Sequence, residues 1–305
     1  MRALVVYNNF SGKNKIASKI GYICQQLKTK YAIVECFKSR YPRSIVDHIK
    51  ASAFDYDLII AVGGDGTVNE AVNGLMQLPK RPTLAYIPLG TCNDAASTLG
   101  LSKNLKRTMK KILNPMSSKI DVFKVEDRYF VYGLAAGSFT EISYDVPHKV
   151  KKNMGKLAYY IQGLKSFKDT STINITLESE DKKIKGEFFL FLALNSRYLA
   201  GFKLHRRKRI YLDDGKLRLT LIKKTSKLFN VIDFGMFLLF GELYSHNIIH
   251  LASSKFKISS DELIAYNTDG ERSTKSSNIE VEVLHRSLDV IISKRVLRRH
   301  FLNKN

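Results

Sequence analysis

The sequence predicts an α/β nucleotide-binding domain followed by a β-rich domain of sandwich type. Three observations predict it. Residues 1 to about 120 alternate short apolar runs with amphipathic helical patterns, as a doubly wound parallel sheet requires. After about Asp121 the apolar runs follow one another as strands joined by polar turns. A glycine-rich loop, Gly63-Gly64-Asp65-Gly66, stands between an apolar run and a helical pattern, at the strand end where open α/β sheets bind ligands.

Taken in order, ALVVYN (3–8) reads as a buried strand, and Ile16 to Lys28 carries apolar residues at helical spacing. AIVECF (32–37) is a second strand and Ser44 to Ala51 a helix. DLIIAV (57–62) is nearly all apolar, as expected of a strand covered on both faces. Thr67 to Met76 is helical, TLAYIP (83–88) a strand and Asn104 to Leu113 a helix. Strands are then predicted at Tyr129 to Ala135, Thr172 to Glu178, Glu187 to Asn195, Lys216 to Lys223, Lys255 to Ser259 and Asn278 to Val283. Helical patterns interrupt them at Met154 to Phe167 and around Leu228 to Glu242. The stretch Leu288 to Phe301 is expected to return to the first domain, giving domains 1–123 plus 288–305, and 124–287.

Fifty Lys and Arg against 28 Asp and Glu give a net charge of +22 over 305 residues. Such a surface attracts phosphates on nucleotides, nucleic acids or anionic membranes. No helix-turn-helix, RNA-recognition or zinc signature accompanies it, so a nucleic-acid partner is not expected. Cys24, Cys36 and Cys92 form no CxxC pair, which argues against a disulfide framework or a cysteine zinc site. The start MRALVVYNN is a short strand and not a signal peptide. The longest apolar stretch, 231–240, contains Asp233, falls well short of a membrane span and is expected to be core. A soluble, cytoplasmic, reduced protein is expected.

Glycines after a strand let a backbone approach phosphate and reach positive φ. The N–H groups of Thr67, Val68 and Asn69 are expected to face the same point with the helix dipole behind them, Thr67 capping the helix. The spacing is not GxGxxG, and Ser11-Gly12-Lys13 lacks the upstream glycine of a Walker A loop. One βα unit later PLGTCND (88–94) repeats a strand-end glycine, a hydroxyl and an acid.

Together, GGDGTVNEAVNGL and PLGTCND resemble the hallmark loops of the diacylglycerol kinase catalytic domain family, which includes bacterial soluble lipid kinases and sphingosine kinases. YNTDGE, with Asp269-Gly270-Glu271, is similar to that family's third motif and LDDGKL (212–217) to its fourth. KIDVFKV with FVYGLAAGSF (119–139) resembles the passage into its second domain. The resemblance implies a nucleotide domain of NAD kinase and phosphofructokinase type, a β-rich domain, and an active site in the cleft between them. It implies ATP and Mg²⁺ as cofactors and transfer of a phosphoryl group to a membrane-lipid hydroxyl, at an anionic membrane surface. A homodimer is compatible with it.

By the resemblance, Gly63, Gly64, Asp65, Gly66, Thr67, Asn69, Thr91 and Asn93 hold the nucleotide phosphates, and Ser39 contacts the nucleotide. Asn9, a further expected nucleotide contact, stands where the family has a proline, which loosens that loop. Asp65, Asp94 and Asp121 are the candidates for Mg²⁺ or its waters. Asp214, with the carbonyls of Tyr211 and Lys216, matches a second, structural Mg²⁺ site. Glu271 is the implied proton acceptor with Asp269 beside it, and which of the two takes the proton stays open. The alternatives are a soluble-substrate kinase of the NAD kinase group and an inactive nucleotide-binding regulator. PLGTCND and the placement of DGE argue against the first, and the intact DGE against the second.

Overall fold

A computed structural model describes residues 1–8, 15–137, 172–199, 201–204, 209–240, 246–272 and 275–302. The expected helix at 154–167, and Asn9, lie outside these residues. The chain divides into two compact units: Met1–Tyr132 with Arg209–Gly215 and Val283–Asn305, and Gly133–Lys208 with Lys216–Glu282.

The first unit is a parallel sheet. β1 (Arg2–Tyr7) lies between β2 (Ile33–Lys38) and β3 (Leu58–Gly63), and β4 (Thr83–Pro88) follows β3, all parallel. Alternate residues feed two cores, one for each face of the sheet. Leu4, Val6, Ile59, Ala61, Leu84 and Tyr86 pack with residues of α2 (Ser44–Ser52) and α3 (Asp65–Leu75). Ala3, Val5, Ile60, Val62, Ala85 and Ile87 pack with residues of α1 (Lys15–Leu27) and α5 (Leu105–Leu113). The near-continuous apolar strands of the sequence thus have apolar neighbours on both sides, as the doubly wound reading requires. A short helix that the pattern did not predict, α4 (Asp94–Thr98), follows β4.

The first unit extends further along the chain than the expected boundary at 123. β5 (Ser117–Val125) and β6 (Arg128–Phe130) form a hairpin in which Phe123 and Phe130 lie 5.2 Å apart. Asn73 of α3 grips the second strand of that hairpin, donating Nδ2 to the Tyr129 carbonyl at 2.8 Å and accepting the Tyr129 N–H at 2.9 Å. The segment 209–215 joins the same unit, with the Asp121 N–H bonded to the Leu212 carbonyl at 2.7 Å. The chain then returns: Ser293 caps α7 (Lys294–His300) and Val296 packs in the first core.

The second unit is almost all strand. β9 (Lys183–Leu194) pairs along its first half with β8 (Ile173–Ser179), and its second half runs between β7 (Gly133–Gly137) and β12 (Leu217–Lys223). β8 continues to β14 (Lys255–Ile264), and β14 to the early residues of β17 (Ser276–Ile291). β12 also pairs with β13 (Ile248–Ser253). β15 (Tyr266–Thr268) pairs with β7 and with β16 (Glu271–Arg272). β10 (Tyr198–Leu199) and β11 (Phe202–Lys203) make a small ribbon.

α6 (Lys227–Phe240) carries the stretch 231–240, which was expected to be core. Phe234 and Phe237 join the core of the second unit, while Phe229, Ile232 and Met236 remain 59%, 46% and 37% exposed. The exposed three are spaced as one helical stripe.

Candidate active site

The two glycine loops are built against each other. β3 ends at Gly63, and α3 starts two residues before the expected Thr67, at Asp65, with Gly64 as its extended N-cap. Thr67 therefore does not cap the helix. It is buried in the first turn, and the Thr67 and Val68 N–H groups turn back to the Gly64 carbonyl at 3.1 and 3.3 Å. The leading donors of this helix are those of Asp65 and Gly66. The second loop docks on the first: Leu89 and Gly90 both donate N–H to the Gly63 carbonyl, at 2.8 and 3.0 Å. Gly64 and Gly90 pass so closely that a Cβ on Gly90 would stand 2.5 Å from the Gly64 Cα.

Asp65 and Asn93 lock this arrangement. The Asp65 carboxylate accepts the Asn93 N–H at 2.8 Å and the Ala95 N–H at 3.3 Å, which also fills the start of α4. Asn93 is fully buried in the left-handed region at φ 57, where Asn is among the tolerated residues. Its Oδ1 accepts from the Tyr86 hydroxyl at 2.8 Å and the Gly90 N–H at 3.0 Å, and its Nδ2 donates to the Gly90 carbonyl. Burial raises the Asp65 carboxyl above its ordinary value, while the N–H groups of Ala95, Asp94 and Asn93 and the charge of Lys103 pull it back. Burial, then the charges of Asp65 and Asp94, push the Tyr86 hydroxyl well up. Thr91 is exposed at the rim, where its carbonyl takes a hydrogen bond from Lys103 at 2.7 Å.

Asn69 and Glu70 of the first motif, and Ser39 after β2, also make scaffold contacts. Asn69 donates Nδ2 to the Tyr129 carbonyl at 3.3 Å and shares that acceptor with Asn73, one turn on. Glu70 accepts the Ile45 N–H at 3.2 Å, at the start of α2. Ser39 is buried after β2, with its N–H on the Tyr7 carbonyl and its hydroxyl 3.1 Å from that of Ser44.

Asp121 belongs to a different cluster from Asp65. Its carboxylate accepts the Gly215 N–H at 2.7 Å and the Arg286 N–H at 2.8 Å, and His285 Nδ1 lies 3.1 Å away. Burial raises this carboxyl above its ordinary value against those hydrogen bonds. The neighbouring Asp213 is buried and accepts the Leu302 N–H at 2.8 Å. Tyr211 and Asp214 are half-buried, and the Lys216 carbonyl accepts Arg218 Nη1 at 2.8 Å. Among the described residues no group of three or more His, Cys, Asp or Glu side chains is arranged to hold a metal. The side chains of Asp65, Asp94 and Asp121 are thus not assembled as a protein-only metal cage.

In the second unit, Asp269 and Glu271 flank the turn between β15 and β16. Asp269 is buried and held at φ 50, an uncommon conformation for a residue with a side chain. It exchanges two hydrogen bonds with Gly133: its N–H donates to the Gly133 carbonyl at 2.8 Å, and its Oδ1 accepts the Gly133 N–H at 3.0 Å. Glu271, on the next strand, is exposed. The sequence reading missed Asn195, just past the β9 residue that pairs with Gly133. It is buried, and its Oδ1 accepts from Arg218 at 3.2 Å. Its only local signal was a polar pair, Asn195-Ser196, ending an apolar strand.

The family model described as the diacylglycerol kinase catalytic domain matches residues 2–125. The chain is 32% identical over 273 residues to the diacylglycerol kinase of Bacillus subtilis, covering 88% of this chain and 89% of that one. It is 29% identical over 310 residues to the diacylglycerol kinase of Staphylococcus aureus strain MRSA252, covering 100% and 96%. A crystal structure of a putative diacylglycerol kinase from Bacillus anthracis superposes with a TM-score of 0.83 at 26% identity, covering 96% and 97%. The chain belongs to the diacylglycerol kinase catalytic domain family, a family of lipid kinases.

Proposed function

We propose that the protein transfers the γ-phosphoryl group of ATP to the hydroxyl of a membrane lipid, with diacylglycerol as the acceptor that the relatives' names indicate. The observation that carries this reading is the interlocked pair of loops, in which Asp65 fixes Asn93 and Gly64 packs on Gly90. Phosphoryl transfer needs positioned phosphates and little covalent chemistry from the protein. The glycines give ATP phosphates access to main-chain donors at the start of α3, an eleven-residue helix whose dipole favours anions there.

Asp65 acts by holding the second loop in place. Ser39 and Thr91 are the hydroxyl contacts proposed for the nucleotide. Magnesium would arrive with the ATP phosphates and keep several waters, since Asp65 and Asp121 direct carboxylate oxygens to main-chain N–H groups. Its chemistry there would be neutralisation of phosphate charge.

Asp269 is the proposed proton acceptor for the lipid hydroxyl, in preference to Glu271. Its backbone and one carboxylate oxygen are both pinned to Gly133, which fixes the direction of the carboxylate. A residue held at positive φ is a form of strain that clusters at functional sites. Among the described residues no contact pins exposed Glu271 in that way, and it serves as the neighbour.

The lipid is met at an anionic bilayer. The stripe Phe229, Ile232 and Met236 on α6 offers apolar side chains, and the net charge of +22 offers attraction. On α7, Lys294, Arg295, Arg298 and Arg299 are exposed. Two further basic stretches stand at 149–156 and 205–209; the first, and 205–208 of the second, lie outside the described residues. No helix among the described residues is long and apolar enough to cross a membrane.

The test is a panel of acceptors with labelled Mg-ATP: diacylglycerol in vesicles, NAD and a sugar phosphate. Label in phosphatidic acid alone supports the reading. Label only in a soluble acceptor overturns it in favour of a soluble-substrate kinase.

A further inference from the structure

We infer that Cys24 and Cys36 form an oxidisable thiol pair, a modification site at which a small-molecule disulfide closes a reversible bridge between α1 and β2. The two are twelve residues apart in a pattern that matches no redox motif, yet the fold places their sulfurs 2.7 Å apart. That is well inside ordinary sulfur–sulfur contact, and closing to the length of a disulfide takes only about 0.7 Å more. Cys24 lies in the last turns of α1, half-buried against the core on that face of the sheet. Cys36 is exposed on β2, which stands at the end of the strand order in this unit, so a reagent reaches the pair from solvent. The site involves none of the residues given a role in phosphoryl transfer, and it does not rest on that reading.

The chemistry balances with oxidised glutathione as the oxidant. A cysteine thiolate attacks one glutathione sulfur, the glutathione S–S bond breaks, and one glutathione leaves as a thiolate. The second cysteine then attacks the protein sulfur of the mixed disulfide and expels the other glutathione. The protein thiols lose two protons and two electrons in all, and oxidised glutathione becomes two thiols. Partial desolvation of its sulfur and the hydrogen bond with Cys24 push the Cys36 thiol up to about 12, against the pull of Lys28 just past the end of α1. Closure therefore draws on proximity: once either sulfur is held in a mixed disulfide, the second thiol already lies beside it. The ring so formed ties the end of α1 to a strand whose last residues precede Ser39, and it restricts the unfolded chain.

The experiment treats the folded wild-type protein with oxidised glutathione at mildly alkaline pH, then alkylates remaining thiols and measures the intact mass. The expected product has lost the mass of two hydrogen atoms, carries one alkyl group on Cys92, and yields a peptide joining Cys24 to Cys36. Dithiothreitol restores three alkylatable thiols, and the bridged form melts about 5–10 °C higher than the reduced form. Cys36→Ser must abolish the bridge, and Cys92→Ser must leave it intact. A stable glutathione adduct on Cys24 or Cys36, a bridge through Cys92, or three free thiols after prolonged exposure would each overturn the inference.

Discussion

The Asp65 carboxylate accepts the main-chain N–H of Asn93 at 2.8 Å, joining the two glycine loops across 28 positions of sequence. An acid inside a loop proposed to hold phosphates is at first sight misplaced, because it repels the ligand. Here it is a structural bracket: it satisfies donors of the neighbouring loop and of the first turn of α4.

Asp65→Ala leaves the N–H groups of Asn93 and Ala95 without that acceptor and frees the second loop. The variant is expected to lose the thermal stabilisation that Mg-ATP gives wild type. It should also lose about 1–3 kcal/mol of stability in denaturant titration, the usual cost of unpaired buried donors. Wild-type stability together with a wild-type response to ATP would remove Asp65 from this role.

Gly90→Ala tests the close approach of the loops without touching a charge. Its Cβ would stand 2.5 Å from the Gly64 Cα and 2.9 Å from Asn93 Oδ1, and the first of these is backbone that cannot rotate away. Overpacking of this sort costs about 1–3 kcal/mol. Nucleotide affinity should fall with it, as read by calorimetry. An unchanged melting point and affinity would show that the loops are not fixed against each other.

Burial raises the Asp121 carboxyl above its ordinary value, which sets a pH signature. Because the folded value is the higher one, the folded protein binds this proton more readily than the unfolded chain. Asp121 therefore contributes stability that is fully present below its unfolded value and is lost as pH rises through its folded value. Asp121→Asn should remove this component, so that stability from the mildly acidic range toward neutrality falls less in the variant than in wild type. It should also lower stability at neutral pH, since the two carboxylate oxygens accept from Gly215 and Arg286 separately and the NH₂ that replaces one of them cannot accept. Urea titrations at several pH values measure both effects, and identical pH slopes in the two proteins would contradict the account.

The stripe on α6 predicts that replacing Phe229, Ile232 and Met236 together by Ser weakens flotation with anionic vesicles, with little loss of stability because all three are exposed. Raising the salt should weaken wild-type binding, since screening shortens the reach of surface charge to about 8 Å at physiological ionic strength. Unchanged flotation of the triple variant would take α6 out of the membrane surface.

The parts of the fold that could be read from the sequence are those whose cause is local. Strands 58–63 and 83–88 stood out because their side chains are buried on both faces, and the loops stood out because glycine is required there. Five-residue α4 is too short to show a helical period. β17 runs sixteen residues where six were expected, because its alternation is broken by polar and charged residues. Long-range polar bonds leave no local trace: Asp121 meets Gly215 and Arg286 at separations of 94 and 165 residues. Motif resemblance found the loops but not the division of labour within them, where Asn69 binds the Tyr129 carbonyl and Glu70 the start of α2.

The central claim is that the chain moves a phosphoryl group from ATP to a lipid hydroxyl with Asp269 taking the proton. The most direct measurement is turnover of diacylglycerol by wild type, Asp269→Asn and Glu271→Gln, with ATP-dependent thermal stabilisation recorded for each. Wild type should form phosphatidic acid. Asp269→Asn should lose about 10²–10⁴-fold in kcat, the usual worth of general-base help, while keeping its response to ATP. Glu271→Gln should lose less. Wild-type turnover by Asp269→Asn would contradict the assignment, and a larger loss in Glu271→Gln would move the base to Glu271.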